Sequence, residues 1–385
     1  MQRSTERILT THAGSLPRPA DLWDMLIAKD AGQPYDQEAL ARRVRSAVAE
    51  VVQQQVASGI DIVNDGEESK RSFSTYVRER FNGWEERPSQ PDERPSLISG
   101  RDMAEFPEYF VTRGGFGGSS ANARQIFCTG PLTYIGHAAV QADIEHFKAA
   151  LAGVTVAEAF LPAIAPGTVE HWLRNRYYPS DAAYLYAIAD AMRQEYRAIV
   201  EAGFLLQIDD PDLPDAWQIH PQMRVPEYRK FAELRVEALN HALQGIPPER
   251  VRLHVCWGSY HGPHKYDIPL QDIVDLILKV RVEGYSIEAS NPRHEHEWRV
   301  WEDVRLPEGK VLIPGVVGHA TDFIEHPALV AERLVKYARL VGRDNVIAGT
   351  DCGLGGRVGH ARIVWAKFQA LAEGARLATQ QLWGR

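Results

Sequence analysis

The sequence predicts an α/β protein whose fold is a closed (β/α)8 TIM barrel with an insertion after the first strand. Eight short β-rich runs alternate with segments of helical periodicity, and polar residues follow most of these runs. No Gly-Ser or Pro-rich linker divides the 385 residues into comparable halves. Because barrels of this length commonly form one domain, we expect residues 1–385 to make a single barrel. An open doubly wound sheet is the alternative, since strand counts from one sequence are often wrong.

The β-rich runs lie at 60–63, 125–133, 156–164, 204–208, 251–256, 285–289, 311–317 and 346–349. Helical segments between them have apolar residues at three- and four-residue spacing. One such helix is predicted at 182–202. Another is predicted at 327–340 and ends before Gly342, a typical residue at a helix C-terminus.

Residues 82–124 interrupt this regular alternation. The segment is rich in proline, glycine and charged residues and contains Gly114-Gly115-Phe116-Gly117-Gly118. Loops of this length are commonly functional or disordered. We therefore keep two interpretations of this loop insertion: a lid over the mouth of the barrel, or a tolerated surface excursion.

The composition limits the classes of partner. A net charge of −8 and a pI near 6.0 provide no basic surface for nucleic acid. No apolar run reaches the length of about 18 residues that a membrane span needs, and the first residues lack the apolar core of a secretion signal. Three cysteines make no disulfide framework, and a reducing compartment would keep them free. We expect a cytoplasmic protein with small-molecule partners, and a homodimer is the default assembly.

Polar side chains follow the predicted strands at their carboxyl ends. In a barrel, these ends meet at one rim, where active sites are assembled. The side chains expected to gather at this rim are Glu67, Asp209, His254, Cys256, Glu288, His319 and Cys352.

Four of these residues have the donor types that zinc selects. His254 and Cys256 are two positions apart on one strand, so their side chains point the same way, and Cys352 lies in a turn. Glu288 is an acid within an apolar run, and burying a carboxylate is costly unless it is paired or metal-bound. Taken alone, His-x-Cys is more often a packed histidine beside a small thiol, but the acid and the second cysteine favour a shared zinc ion. Ligands scattered along the chain are typical of catalytic zinc, and a structural zinc without turnover remains the alternative.

Seven motifs, in this order, resemble the carboxy-terminal catalytic barrel of cobalamin-independent methionine synthase: Thr10-Thr11-His12-Ala13-Gly14-Ser15, Asp65-Gly66-Glu67, Gln207-Ile208-Asp209, His254-Val255-Cys256, Ser286-Ile287-Glu288-Ala289-Ser290, Gly315…His319 and Asp351-Cys352-Gly353-Leu354. The resemblance covers nearly the whole chain. It implies a zinc-dependent enzyme that transfers an alkyl group, most often methyl, to a thiol. The expected thiol is homocysteine and the expected product methionine.

The resemblance also implies roles for individual residues. The expected zinc ligands, of which the glutamate can yield its place to substrate, are His254, Cys256, Glu288 and Cys352. The positions expected to bind the amino and carboxyl groups of homocysteine are Gly14, Ser15, Glu67 and Asp209. His319 matches a histidine near the transferred group and is the expected catalytic proton donor.

The sequence departs from the family in ways that leave the alkyl donor open. The second, amino-terminal barrel of the full-length synthase has no counterpart here, and the tryptophan that the family stacks on folate has none near 162–169. The donor stays open among a folate, a corrinoid, an epoxide and other compounds. The alternative function is that of an epoxyalkane:coenzyme M transferase, in which a zinc-activated thiol opens an epoxide. Glu67 and Asp209 suit a substrate ammonium and favour homocysteine, whereas a sulfonate thiol would require arginines.

Overall fold

A barrel of eight parallel strands forms the centre of the computed structural model, which describes residues 1–88, 100–112 and 124–384. The strands of the described residues are β1 (Leu9–Thr10), β2 (Ile62–Asn64), β3 (Phe81–Pro88), β4 (Arg124–Tyr134), β5 (Glu158–Ile164), β6 (Leu173–Asn175), β7 (Leu205–Asp209), β8 (Val251–Val255), β9 (Gly284–Glu288), β10 (Val311–Val317) and β11 (Ile347–Thr350). The large sheet has the order β1-β11-β10-β9-β8-β7-β5-β2, and its neighbouring strands pair in parallel.

The two ends of this sheet approach each other. The backbone N–H of Asp61 donates to Thr10 O at 3.2 Å, and the hydroxyl of Thr11 donates to Ile62 O at 3.1 Å. These contacts join β1 to the start of β2, so the sheet nearly closes into a barrel. The predicted fold class is confirmed.

Helices cover the outside of the barrel. The α-helices of the described residues are α1 (Ala20–Asp30), α2 (Gln37–Ala57), α3 (Gly100–Glu105), α4 (Pro107–Thr112), α5 (His137–Leu151), α6 (Pro166–Trp172), α7 (Asp181–Glu201), α8 (Asp212–Ile219), α9 (Val225–Ala242), α10 (Val274–Ile277), α11 (Val300–Asp303), α12 (Pro327–Val341) and α13 (Ala361–Trp383). The helices predicted at 182–202 and 327–340 are α7 and α12. Ser180 caps α7 by accepting the backbone N–H of Ala183, and Gly342 ends α12 with φ of 91°. None of the described helices combines the length and apolarity needed to cross a membrane.

An apolar layer fills the barrel near the amino-terminal ends of its strands. Burial of each large aliphatic side chain contributes about 1.5–3 kcal/mol, so this layer and the helix-facing core stabilise the barrel wall. The residues of the inner layer are Leu9, Ile62, Phe160, Leu205, Val311, Ile313 and Ile347. Because this layer closes one end of the barrel, the polar side chains gather at the opposite end.

One of the eight predicted barrel strands is wrong. The run at 125–133 belongs to β4, which pairs antiparallel with β3 and parallel with β6 in a separate three-stranded sheet. The barrel strand missing from the prediction is β1, whose two residues are too few to show a periodic pattern. The run at 60–63, taken as the first strand, is therefore the second barrel strand, and the insertion follows it.

The insertion contains its own secondary structure and docks on the barrel. Strands β3 and β4 lie at its two ends and α3 and α4 between them, while residues 89–99 and 113–123, with the glycine-rich run, lie outside the described residues. Arg101 of α3 donates to Trp217 O of α8 at 2.8 Å, and Tyr109 of α4 donates to His261 O at 2.7 Å. Its role as a lid stays a prediction.

Candidate metal and substrate site

Three side chains with metal-binding atoms converge at the carboxyl ends of β8 and β11. His254 lies within β8, Cys256 directly after it, and Cys352 two positions after the end of β11. One ligand atom from each lies within 4.8 Å of the other two, and the two Sγ atoms are 3.8 Å apart. The histidine and Cys256 are only 3% and 4% exposed. The structure thus brings together three of the four predicted metal ligands.

The imidazole of His254 is oriented from one side. Its Nδ1 lies 3.2 Å from the hydroxyl of Ser286, its register partner on β9. Its Nε2 is buried and makes no hydrogen bond to any residue in the described parts of the chain. Burial lowers the pKa of His254, but Cys352 and the charge of Asp209 together raise it above its usual value. An imidazole fixed through one nitrogen, with the other available, is the usual state of a metal ligand.

The spacing of the two thiols fits zinc. With Zn–S bonds of about 2.3 Å and a tetrahedral angle of about 109°, two coordinated sulfur atoms lie about 3.8 Å apart. The measured separation of Cys256 and Cys352 is 3.8 Å. The Cys256 thiol holds the pKa of Cys352 well below its usual value, while Cys352 raises the pKa of Cys256, so the pair favours a single thiolate. Two soft sulfur donors and one imidazole make a suitable set for a borderline-soft divalent cation.

Glu288, the fourth predicted ligand, lies in an adjoining acidic group. One of its oxygens accepts the backbone N–H of Trp257 at 2.9 Å, and the other lies 3.7 Å from Nδ1 of His319. Ligand atoms of Glu288, His319 and Asp351 lie within 4.8 Å of one another. Burial raises the pKa of Glu288 to about 8. This second group also offers ligand atoms to a metal ion, and the assignment of Glu288 to the zinc stays a prediction.

His319 lies two positions beyond β10 and is almost fully buried. Its Nδ1 makes no hydrogen bond to the residues that the structure describes. Burial lowers the pKa of His319 to about 4, so the imidazole is neutral near pH 7. A neutral imidazole accepts a proton before it can donate one.

Asp351 is a site residue that the sequence analysis did not assign a role. Its fully buried carboxylate accepts the backbone N–H groups of Ala289 and Ser290 at 2.7 and 2.9 Å and the Ser290 hydroxyl at 2.7 Å. These bonds tie the end of β9 to the turn that carries Cys352. Its place beside Cys352 was visible in the sequence, but its partners are 61 and 62 positions away and leave no local signal.

Glu67 is held in an unusual backbone conformation next to Gly14. Its φ is 58°, and its backbone N–H donates to the carboxylate of Asp65 at 3.0 Å. A Cβ added to Gly14, which has φ of 140°, would lie 2.7 Å from Oε1 of Glu67, so only glycine permits this approach. Within the described residues, Oε2 of Glu67 is buried without a hydrogen-bond partner. An acid in this state is prepared to accept a donor from a ligand.

Asp209 and Glu67 are the two acidic walls of a pocket, which we call the acidic pocket. Asp209 ends β7, and its Oδ1 accepts Nε2 of Gln207 at 2.7 Å. Burial raises the pKa of Glu67 to about 8, and the charge of Asp209 adds to the effect. Burial also raises the pKa of Asp209 to about 6. Because the charge of Asp209 disfavours the ionised form of Glu67, this buried pair favours a cationic ligand such as an ammonium group.

The acidic pocket adjoins the metal-binding group on two sides. Asp209 is the register partner of His254 across β7 and β8. Ser15 lies against the turn that carries Cys352: a Cβ on Gly353 would lie 2.6 Å from its hydroxyl, and its carbonyl accepts the N–H of Gly355 at 2.9 Å. The structure therefore places the predicted substrate-binding residues and metal ligands at one rim of the barrel.

A further polar layer lies directly below the site, and the sequence predictions assigned its members no role. Each member lies two positions before a predicted site residue on the same strand, and the members are Gln207, Arg252 and Ser286. Because alternate residues of a strand face the same side, a buried polar residue two positions before a site residue was a usable signal.

The comparisons with known proteins agree with this architecture. The family model described as "Cobalamin-independent synthase, Catalytic domain" matches residues 123–373. The chain belongs to the cobalamin-independent synthase family. The resemblance drawn from the seven motifs is thereby confirmed.

Relatives named methionine synthase align with nearly all of the chain. A methionine synthase of Saccharolobus solfataricus is 24% identical over 376 residues, covering 97% of this chain and 95% of that protein. A methionine synthase of Pyrococcus abyssi is 23% identical over 374 residues, covering 97% and 93%. Among solved structures, a B12-independent methionine synthase from Shewanella sp. W3-18-1, in complex with selenomethionine, superposes with a TM-score of 0.73 at 22% identity, covering 98% of this chain and 100% of that one. This superposition shows that the Shewanella protein and this chain share a fold.

Proposed function

We propose that this protein transfers a methyl group from a small-molecule donor to the thiol of homocysteine, which gives methionine. One observation carries the proposal: a group formed by the buried His254 and Cys256 and the half-buried Cys352 adjoins a buried pair of carboxyl groups at one rim of the barrel. The first can hold a metal that activates a thiol, and the second can hold an α-ammonium group. Membership in the cobalamin-independent synthase family and full-length relatives named methionine synthase support this assignment.

We propose zinc as the cofactor. His254, Cys256 and Cys352 would hold it, with Glu288 as a fourth ligand from the adjoining acidic group. Three protein ligands of nitrogen and sulfur type, on a large preformed scaffold, are typical of a catalytic zinc. When bound, zinc ionises a thiol at neutral pH and so makes it nucleophilic.

The acidic pocket would orient the amino-acid end of homocysteine. Glu67 has a buried oxygen without a partner in the described chain, and Asp209 has only its Oδ1 engaged by Gln207. Both carboxylates would accept charge-assisted hydrogen bonds from the substrate ammonium, whose positive charge would keep them ionised. Gly14 and Ser15, on the loop between these acids and Cys352, would receive the substrate carboxylate.

His319 would carry the proton that the reaction moves. The transfer forms a sulfur–carbon bond, breaks the bond between the methyl carbon and its donor, and moves a proton from the thiol to the donor's leaving atom. Because burial keeps the imidazole neutral, His319 would first accept this proton at a ring nitrogen and then return it to the leaving atom. Its Nδ1, which has no hydrogen bond in the described chain, is the available acceptor.

The pocket opposes the alternative of an epoxyalkane:coenzyme M transferase. A sulfonate thiol would bring a negative charge towards Glu67 and Asp209, both buried acids. The relatives described above are methionine synthases, which agrees with an amino-acid thiol.

The insertion at 82–124 contacts a loop of the proposed active site. We propose that residues 1–385 act as one catalytic barrel with 82–124 as a lid, because Tyr109 of the insertion binds the loop that follows Cys256.

Cys256 and Cys352 must stay reduced to bind zinc, and both are free, which supports a cytoplasmic location. A homodimer is proposed only as the common default of such enzymes.

Thiol and donor specificity can be tested together. The purified protein would be incubated with homocysteine or coenzyme M, each with 5-methyltetrahydrofolate, methylcobalamin or epoxypropane, and products would be identified by mass spectrometry. We expect methionine from homocysteine with one of the methyl donors. Consumption of coenzyme M with epoxypropane, without methionine formation in any mixture, would contradict the proposal. The Cys256→Ser variant should be inactive, and Cys128→Ser, a buried thiol on β4, should retain activity as the matched control.

A further inference from the structure

A buried arginine lies in the barrel interior below the proposed substrate pocket. Arg252 is 0% exposed and stacks on Phe160, with its guanidinium carbon 3.7 Å from the ring centroid. Its three hydrogen bonds go to neutral acceptors, namely the side-chain oxygen of Gln207 at 2.7 Å, the hydroxyl of Thr11 at 2.8 Å and the carbonyl of His12. A buried charge is costly, so a residue of this kind calls for an explanation beyond packing.

Arg252 fixes the orientation of the Gln207 amide. A guanidinium can only donate, so the atom that faces its Nε must be the oxygen of Gln207. The amide nitrogen then points the other way and donates to Oδ1 of Asp209 at 2.7 Å and to Ala13 O at 2.6 Å. An amide in the reverse orientation would turn its oxygen towards the Asp209 carboxylate and repel it.

The orientation of the Gln207 amide determines which oxygen of Asp209 is available to a ligand. Gln207 occupies Oδ1, so Oδ2, which has no hydrogen bond to the residues that the structure describes, is left for another donor. The same amide also holds Ala13, next to Gly14, and Arg252 holds His12. Asp209 and the loop that carries Gly14 therefore both depend on one buried guanidinium that does not itself reach the rim.

We propose that Arg252 and Gln207 are positioning residues that make the pocket selective for thiols and thioethers bearing an α-ammonium group. They act through Asp209 and the Gly14 loop and do not touch the ligand. This inference rests on the proposed function, because it names the device that sets the substrate class of the same site.

The test is calorimetric binding of two ligands to the zinc-loaded protein: L-methionine, and 4-(methylthio)butanoate, which lacks the amino group. We expect Arg252→Lys, which keeps the charge but loses the directed fork, and Gln207→Leu each to weaken L-methionine binding about 10- to 100-fold, the usual effect of losing a charge-assisted hydrogen bond. Binding of the deaminated ligand should change little. Because both residues act on the same carboxylate, the double variant should lose less than the product of the single losses.

A matched control is Thr168→Val, which removes a buried hydrogen bond of 3.2 Å to the neighbouring Asp210. This variant should bind L-methionine as the wild-type protein does. Unchanged L-methionine affinity in both Arg252→Lys and Gln207→Leu, or an equal loss for both ligands, would overturn the inference while leaving the proposed function intact. A wild-type protein that binds neither ligand would overturn the proposed function and this inference with it. Zinc content and thermal midpoint, measured on every variant, identify loss of fold, and Gln207→Leu then provides the test if Arg252→Lys does not fold.

Discussion

The sulfur atoms of Cys256 and Cys352 lie 3.8 Å apart across the rim of the barrel, although 96 positions separate them in sequence. This is the separation expected for two thiolates on one tetrahedral zinc, about 3.8 Å. Strands β8 and β11 belong to the same barrel, so their carboxyl ends lie at one rim and the two cysteines can meet there.

Removal of either thiol should remove the metal. Cys256→Ser and Cys352→Ser each leave only one soft donor beside His254, so we expect both variants to lose stoichiometric zinc while remaining folded. Cys128→Ser, on β4 and outside the site, should keep it. Metal analysis by mass spectrometry, with circular dichroism for the fold, checks this. Full zinc in both site variants would rule out the assigned ligands.

Asp351 should support the metal through the turn that carries Cys352. Asp351→Asn weakens the bonds from Ala289 and Ser290, and we expect a loss of about 10- to 100-fold in zinc affinity, as is usual for residues that orient metal ligands. Competition with a chromophoric chelator measures the affinity. The control is Asp24→Asn, on the exposed face of α1. Equal affinities in the two variants would show that Asp351 does not position the site.

The acidic pocket should determine homocysteine binding. Asp209→Asn and Glu67→Gln each remove one negative charge from the expected ammonium site, and we expect KM for homocysteine to rise about 10- to 100-fold with a smaller effect on kcat. Asp210→Asn alters the adjacent buried acid, which is bonded to Thr168, and serves as the control. Steady-state kinetics with varied homocysteine separates the two constants. A fall in kcat without a change in KM would assign these acids to another role.

His319 should act on the chemical step alone. His319→Gln removes the titratable nitrogen, and we expect kcat to fall about 10²–10⁴-fold, the usual contribution of a positioned proton carrier. Zinc content and L-methionine binding should remain unchanged. His296→Gln, at an exposed position, is the matched control. If kcat is unaffected, the proton leaves by another route.

Glu68 gives a prediction on stability that is independent of catalysis. Both of its carboxylate oxygens are buried and have no hydrogen-bond partner in the described chain, and burial raises its pKa from 4.5 to about 8. The folded state therefore holds the proton more tightly than the unfolded state. Stability from this group is present below about pH 4.5 and is lost as the pH rises towards 8.

The Glu68→Gln variant should lack this loss. Its free energy of unfolding, relative to wild type, should increase between about pH 5 and pH 8 by an amount on the order of a few kcal/mol and then level off. Urea titrations across this range measure it, with Glu308→Gln at an exposed position as control. A difference that does not vary with pH would show that Glu68 is solvated in solution.

The fold class was predictable because seven of the eight barrel strands have buried, β-rich sequences, most of them followed by polar residues. Strand β1 was not predictable, since two residues cannot show a period and its place depends on pairing with β11, more than 330 positions away. The run at 125–133 has the composition of a barrel strand. It was misplaced because a strand's composition does not identify the sheet to which it belongs.

The site was predictable where chemistry is local. His254 and Cys256 are two positions apart on one strand face, and Asp209 and Glu67 lie at or just beyond the carboxyl ends of strands, so the barrel architecture indicated their convergence. Asp351 was not predictable, because its role depends on the backbone of Ala289 and Ser290 at the end of another strand. The position of Glu288 beside His319 likewise depends on how β9 and β10 end.

We expect His254, Cys256 and Cys352 to hold a zinc ion that activates a substrate thiol. The decisive experiment is X-ray absorption at the zinc edge of the purified protein, recorded with and without homocysteine. We expect a first shell of sulfur and nitrogen or oxygen atoms that gains one sulfur neighbour when homocysteine is added. A protein that binds no zinc, or a zinc shell that homocysteine leaves unchanged, would contradict this expectation.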